Sequence, residues 1–270
     1  MCNTKRCAML DADFISKLYC THIDETNRMI FRVLDIPDLN FVCHEQTKIE
    51  LSRHNQSAFQ WLETNPQITV YSDRDLIQLM INIFGESAYA YYSGMLRRSC
   101  NIFSSGFYVQ YYSSLDAYLT GSWGNCDLNQ FVSVISSCDG VVGTDNNLGE
   151  IKLYTMAQIL DICGTENLFL FCSDDKKART ILSNQTNVDC VGAIASFYLA
   201  KNYLHMSKEE AQEFFDSWMR FHRNTNGQQD FRVLSVSGYQ MEKINGQDIF
   251  DKIYNDEFEL MKNGFLHRKT

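Results

Sequence analysis

Leu168-Phe169-Leu170-Phe171-Cys172-Ser173-Asp174-Asp175-Lys176-Lys177-Ala178-Arg179 is the stretch whose reading decides the fold. Leu168 to Cys172 are apolar without alternation, as in a strand covered on both faces of a parallel sheet, and two carboxylates follow at once. In open α/β sheets ligands bind beyond the carboxyl ends of the strands, which makes Asp174 and Asp175 site candidates. The competing reading is local: Ser173, Asp174 or Asp175 caps a helix beginning at Lys176. The choice depends on whether other acids stand in comparable places.

Several do. Cys7-Ala8-Met9-Leu10 is a short apolar run closed by Asp11-Ala12-Asp13, and Phe14, Ile15 and Leu18 then suggest a helix leaving a strand. Phe41-Val42-Cys43 leads into a polar helix from His44 to Arg53, where Ile49 and Leu51 flank Glu50; a solvated face is the ordinary reading of such a Glu. Asp139-Gly140 through Gly149 reads as a loop that delivers Glu150 to a helix start. Leu153, Met156, Ala157 and Leu160 on that helix form a buried stripe, and Glu150, three residues before it, falls toward the core side. Capping by the helix dipole is the alternative for Glu150. Val188 to Val191 is a further short strand, followed by an Ala-rich helix from Ala193 to about Tyr203 and a break at Leu204-His205-Met206. A helix capped by Ser207 and Glu210 then places Ala211, Phe214, Phe215, Trp218 and Phe221 on one face.

Between Glu50 and Glu150 the composition shifts. Ser72-Asp73-Arg74-Asp75 resembles a capping box, and Leu76, Leu79, Met80, Ile83 and Phe84 repeat at helical spacing. Up to about Cys138 the segment is rich in aromatics: Tyr89, Tyr91, Tyr92, Phe103, Phe107, Tyr108, Tyr111, Tyr112, Tyr118 and Trp123. It reads as a mainly helical insertion over 71–137. Arg97 and Arg98 among the tyrosines have the chemistry to stack on and neutralise single-stranded RNA. An internal core, or a dimer face, is the competing use of the same rings. The last 50 residues suggest a strand from Phe231 to Val236, turns at Asn226-Gly227 and Asn245-Gly246, and an amphipathic helix carrying Phe250, Ile253, Tyr254, Phe258 and Met261 that ends at Asn263-Gly264.

The 270 residues are 45% hydrophobic, ample for a globular core. A net charge of −9 argues against a broad basic surface, so either any nucleic-acid contact is local or the protein is partnered by a basic chain. Ten cysteines without a C-x-x-C pair, behind first residues that lack an apolar signal region, point to reduced thiols in the cytoplasm and away from structural zinc. No apolar run approaches the ~20 residues of a membrane helix, so no membrane partner is expected.

Strand–helix alternation with buried strands implies an α/β fold with a mostly parallel central sheet. If Asp11, Glu50, Glu150 and Asp174 with Asp175 meet, their repulsion calls for cations, and carboxylates without His or Cys partners suit Mg²⁺ or Mn²⁺. Such ions polarise a phosphodiester and activate water.

Met9-Leu10-Asp11-Ala12-Asp13-Phe14-Ile15, Ile49-Glu50-Leu51, Leu148-Gly149-Glu150 and Cys172-Ser173-Asp174-Asp175-Lys176-Lys177-Ala178-Arg179 resemble, in order, the acidic motifs of PIN-domain nucleases. Val191-Gly192-Ala193-Ile194-Ala195 through Ala200-Lys201 to Ser207-Lys208-Glu209-Glu210-Ala211 is similar to the strand and helix pair that closes that fold. The resemblance implies a three-layer α/β/α sandwich, Mg²⁺- or Mn²⁺-dependent endoribonuclease chemistry on RNA, and often a toxin role restrained by an antitoxin. It makes Asp11, Glu50, Glu150 and Asp174 the metal-binding and catalytic quartet, with Asp175 accessory; Asp13 stands where the family usually has a small polar residue. Lys176, Lys177 and Arg179, with Arg97 and Arg98, are the cations available to RNA phosphates. The corresponding division is a PIN-like domain over 1–70 and 138–220, the aromatic insertion over 71–137 and a C-terminal extension over 221–270 packed on the main domain. The long insertion departs from compact members of the family. A PIN-like interaction module without turnover, its insertion serving as a protein-binding or homodimer face, is the alternative from another class. A phosphatase or nucleotide hydrolase would call for a glycine-rich phosphate loop that is absent.

Overall fold

The computed structural model describes residues 6–122, 124–143, 147–221 and 230–269. Trp123 and the expected turn at Asn226-Gly227 lie outside the described residues. The chain is α/β, with many helices and a five-stranded parallel sheet built from β1 (Arg6–Leu10), β2 (Leu39–His44), β3 (Ile68–Tyr71), β4 (Asn167–Cys172) and β5 (Asp189–Val191). The strand order is β3-β2-β1-β4-β5. The unbroken apolar runs read from the sequence are these strands: Cys7 to Leu10 are all fully buried, as are Phe171 and Cys172.

The chain divides into two compact units, Met1–Asp11 with Val42–Leu168 and Ala12–Phe41 with Phe169–Thr270. In the first, α2 (Glu45–His54) follows β2 directly. After β3 the Ser72 capping box forms as read: the Ser72 hydroxyl accepts from the Asp75 amide, the Asp75 carboxylate accepts from the Ser72 amide, and α3 (Asp73–Phe84) begins there. Next come α4 (Ala88–Phe103), two short helices over Phe107–Tyr111 and Ser113–Gly121, α5 (Leu128–Val142) and α6 (Leu148–Cys163). The aromatic segment spends its rings on its own core. Tyr92, Tyr108, Tyr112 and Phe131 are buried, and Tyr89 and Tyr92 meet Phe131 edge-on with centroids 5.1 and 5.9 Å apart.

Two local readings change here. Asp139-Gly140 belongs to the last turns of α5 and not to a loop, because Phe131, Ile135, Cys138 and Val142 carry one buried stripe through it. α6 is not amphipathic: every residue from Ile151 to Ala157 is buried, Lys152 included.

The second unit contains α1 (Ala12–Cys20), a small hairpin of His22–Asp24 with Asn27–Arg28, and the helix Met29–Leu34. It continues with α7 (Lys176–Gln185), α8 (Ser196–Leu204), α9 (Lys208–Phe221) and α10 (Gly246–Tyr254). His205 takes φ +52° at the expected break after α8. The tail forms a four-stranded sheet, β6 (Asp230–Leu234), β7 (Met241–Asn245), β8 (Phe258–Leu260) and β9 (Leu266–Arg268), in the order β8-β9-β6-β7. Its helix is therefore shorter than the apolar spacing suggests. Asp256 at φ +63° stops the helical path, Phe258 is redirected into β8, and Asn263-Gly264 turns between β8 and β9. Asn245 is an N-cap, accepting from the Asp248 amide. Phe250 of α10 stacks on Phe215 at 4.6 Å and meets Phe197 at 6.0 Å, which anchors this helix in the unit's core.

Candidate functional site

In the first unit, Asp11 follows the last residue of β1 and is buried, 6% exposed. Glu50, in the middle of α2, is only half-exposed, so the solvated-face reading does not describe it. Its carboxylate lies against Gly149, the second residue of α6, so closely that a Cβ added there would overlap both Glu50 oxygens. Glu150 is the next residue, in the first turn of the same helix. Two acids a hundred positions apart in sequence therefore come to one helix start, and the glycine between them is what lets the carboxylate approach. Donor groups at a helix N-terminus favour anionic oxygens there.

A second group in this unit escaped sequence reading. Asp73, buried at the start of α3, accepts from Tyr92 and from His44 Nε2 at 3.2 Å, and pairs with Lys152 Nζ at 2.7 Å. Lys152, 1% exposed, also reaches Asp139 at 2.8 Å, and Asp139 accepts from Tyr112. His44 Nδ1 accepts from the Gln46 amide at 3.1 Å, so the ring's proton sits on Nε2 and points to Asp73. Burial opposes charge on Asp73, but Lys152 and His44 outweigh it and hold its carboxyl below the ordinary range. Burial likewise disfavours the Lys152 ammonium, and Asp73 first, then the surrounding oxygens, reverse this and raise it well above its ordinary value. His44, Glu45 and Asp73 offer one ligand atom each within 4.8 Å, a spacing that could hold a metal ion. However, His44 has committed both nitrogens, and a lysine already neutralises Asp73, so this group fits a charge-balanced internal network better than a metal centre. Asp73 follows a strand just as Asp11 does, and Lys152 interrupts an apolar run. Both were visible signals that the capping-box and stripe readings absorbed.

The second unit separates the two adjacent acids of the opening stretch. Asp175 is the N-cap of α7, its carboxylate accepting from the Ala178 amide at 2.6 Å, so the capping reading describes Asp175. Asp174 does something else. Its Oδ2 pairs with Lys17 Nζ of α1 at 2.5 Å, and its Oδ1 accepts from the Ala193 amide at 3.0 Å. Burial acts to raise the Asp174 pKa, but the Lys17 ammonium and the Ala193 N–H prevail and lower it. Asp13 is largely exposed and stands 3.7 Å from the same ammonium.

The expected RNA-facing cations differ among themselves. Lys176 and Lys177 are exposed. Arg179 is buried, 6% exposed, and donates to the carbonyls of Ser173 at 2.7 Å and Asn263 at 3.3 Å, so its guanidinium braces the β4–α7 connection against the tail. Arg97 pairs with Asp116 at 2.6 Å and lies over the Tyr108 ring, 4.5 Å from its centroid, whereas Arg98 is exposed.

The nine described cysteines are free thiols, and burial pushes Cys43, Cys100 and Cys190 up to about 12, which leaves them unreactive. No helix among the described residues is long and apolar enough to cross a membrane. No protein-family model, no curated protein and no solved structure matches the chain.

Proposed function

We propose that the protein is a divalent-metal-dependent endoribonuclease of the PIN-like type, with the three-layer α/β/α arrangement that type implies. The observation that carries this reading is the seating of the Glu50 carboxylate on Gly149 beside Glu150. Side-chain volume is excluded at that glycine, and a second acid, Glu150, follows it in the same first turn. Carboxylate oxygens of this kind fit Mg²⁺ or Mn²⁺. Glu50 and Glu150, which share the start of α6, would contribute to holding the cation, and Asp11 and Asp174 are the other two acids of the resemblance. The cation would supply Lewis-acid activation of phosphodiester and water. The chain's own residues concentrate negative charge and keep it partly desolvated, and Lys176 and Lys177 are the exposed cations nearest in sequence to Asp174. A reducing cytoplasmic setting would keep the nine described thiols free.

Substituting Glu50→Gln tests the reading. Mn²⁺-stimulated cleavage of single-stranded RNA is expected in the wild type and to fall by at least about 100-fold in the variant, with unchanged melting in metal-free buffer. Wild-type cleavage by the Gln variant, or none by the wild type in any divalent cation, contradicts it.

The second reading is a PIN-like interaction module without turnover. It is favoured by Lys17, whose ammonium already occupies Asp174 Oδ2. In that reading Lys17 is a permanent counter-ion; in the nuclease reading a divalent cation must compete with it.

A further inference from the structure

We propose that the second unit carries a small-molecule site, separate from the acids, for a ligand with an apolar body and a single cationic amine head. A small half-open pocket of about 70 Å³ lies beside the first residues of β5, lined by Leu39, Phe169, Leu199, Tyr203, Met261 and Asp189 among its neighbours. It sits at the starting end of β5, where Leu170 of β4 registers with Asp189. Asp174, by contrast, follows the finishing end of β4, and its partner Ala193 follows β5. The pocket is therefore not part of the acid cluster around Lys17.

The lining dictates the ligand chemistry. Every residue that lines it is apolar or aromatic except Asp189, whose carboxylate makes no hydrogen bond or ion pair among the described residues. Of the lining residues, Leu199 is 3% exposed, while Tyr203 and Met261, 38% and 36% exposed, mark the solvent side. An apolar pocket with one polar group at a fixed place orients a ligand by that group. Here it is an unpaired anion on a chain of net charge −9, so a neutral or anionic head is disfavoured and an ammonium is matched. So small a volume suits a short apolar body of about four to six heavy atoms.

The test uses the full chain and two probes of equal shape, n-pentylamine and pentan-1-ol, titrated by calorimetry and by amide shift mapping. The amine should bind about 5- to 10-fold tighter than the alcohol, with shifts at residues 169, 170, 189 and 199. Asp189→Asn should leave alcohol binding unchanged and remove the preference. Met261→Arg, on the solvent side, should supply a competing cation and abolish amine binding. No binding of either probe at millimolar concentration, equal affinity for the two, or an amine preference that survives Asp189→Asn overturns the proposal.

Discussion

Each unit contains a lysine clasped by aspartate, and the two clasps differ in one respect that decides their roles. Lys152 in the first unit is 1% exposed and is held by two carboxylates at 2.7 and 2.8 Å within a ring of tyrosine hydroxyls. Lys17 in the second is held as closely, at 2.5 Å, yet its side chain and that of Asp174 each remain 29% exposed. Removing a partner from a fully buried pair strands a charge where water cannot reach it. Removing one from a partly solvated pair costs little, because water or a metal ion can replace the lost partner. The Lys152 network therefore belongs to the architecture, and the Lys17–Asp174 pair is an exchangeable contact.

The largest expected effect breaks the first clasp. Lys152→Met leaves Asp73 and Asp139 without their cation and should destabilise the protein by about 3–5 kcal/mol, read by urea unfolding. If the loss is under about 1 kcal/mol, the network is not the architectural element described above. Acid titration sharpens the same point. The Asp73 carboxyl is lowered on folding, so its contribution is complete above the unfolded value of about 3.9 and is lost as pH falls through the folded value. Thermal midpoints should drop steeply below about pH 4, and the slope should be shallower in Asp73→Asn. At the other end the Lys152 ammonium is raised, so its contribution is complete below about 10.4 and is lost only as pH rises past that.

Gly149→Ala should separate stability from function. An alanine inside a helix ordinarily gains up to about 1 kcal/mol over glycine, but here its methyl must push the Glu50 carboxylate away. Melting should change by less than about 1 kcal/mol while Mn²⁺-stimulated cleavage falls at least about tenfold. Lys17→Met carries the smallest stability effect, below about 1 kcal/mol. By freeing Asp174 Oδ2 it should tighten Mn²⁺ binding several-fold in calorimetry. Unchanged metal affinity would place Lys17 and Asp174 outside metal binding and favour the module without turnover.

Much of this was legible in the sequence. Unbroken apolar runs closed by acid marked β1 and β4, and the Ser72 box marked the start of α3, since both signals are local and strong. The division of labour between Asp174 and Asp175 was not legible, because which carboxylate turns to the helix amides and which to Lys17 depends on backbone direction after β4. Nor was Lys152, whose burial depends on carboxylates supplied by α3 and α5. The tail misled for another reason. Phe250, Ile253, Tyr254, Phe258 and Met261 keep helical spacing through a residue, Asp256, that takes a left-handed conformation, and no spacing rule reports on that. Glu50 was readable as a candidate only through its order among the motifs. Its contact with Gly149 comes from folding α2 against α6, which periodicity cannot report.

The most direct test of the nuclease reading is a Mn²⁺ titration read by cleavage of end-labelled single-stranded RNA, with Asp174→Asn beside the wild type. Metal-dependent cleavage by the wild type, abolished by chelator, is expected, with loss of that activity in a variant that still unfolds cooperatively. Cleavage by Asp174→Asn at the wild-type rate and Mn²⁺ dependence would contradict it.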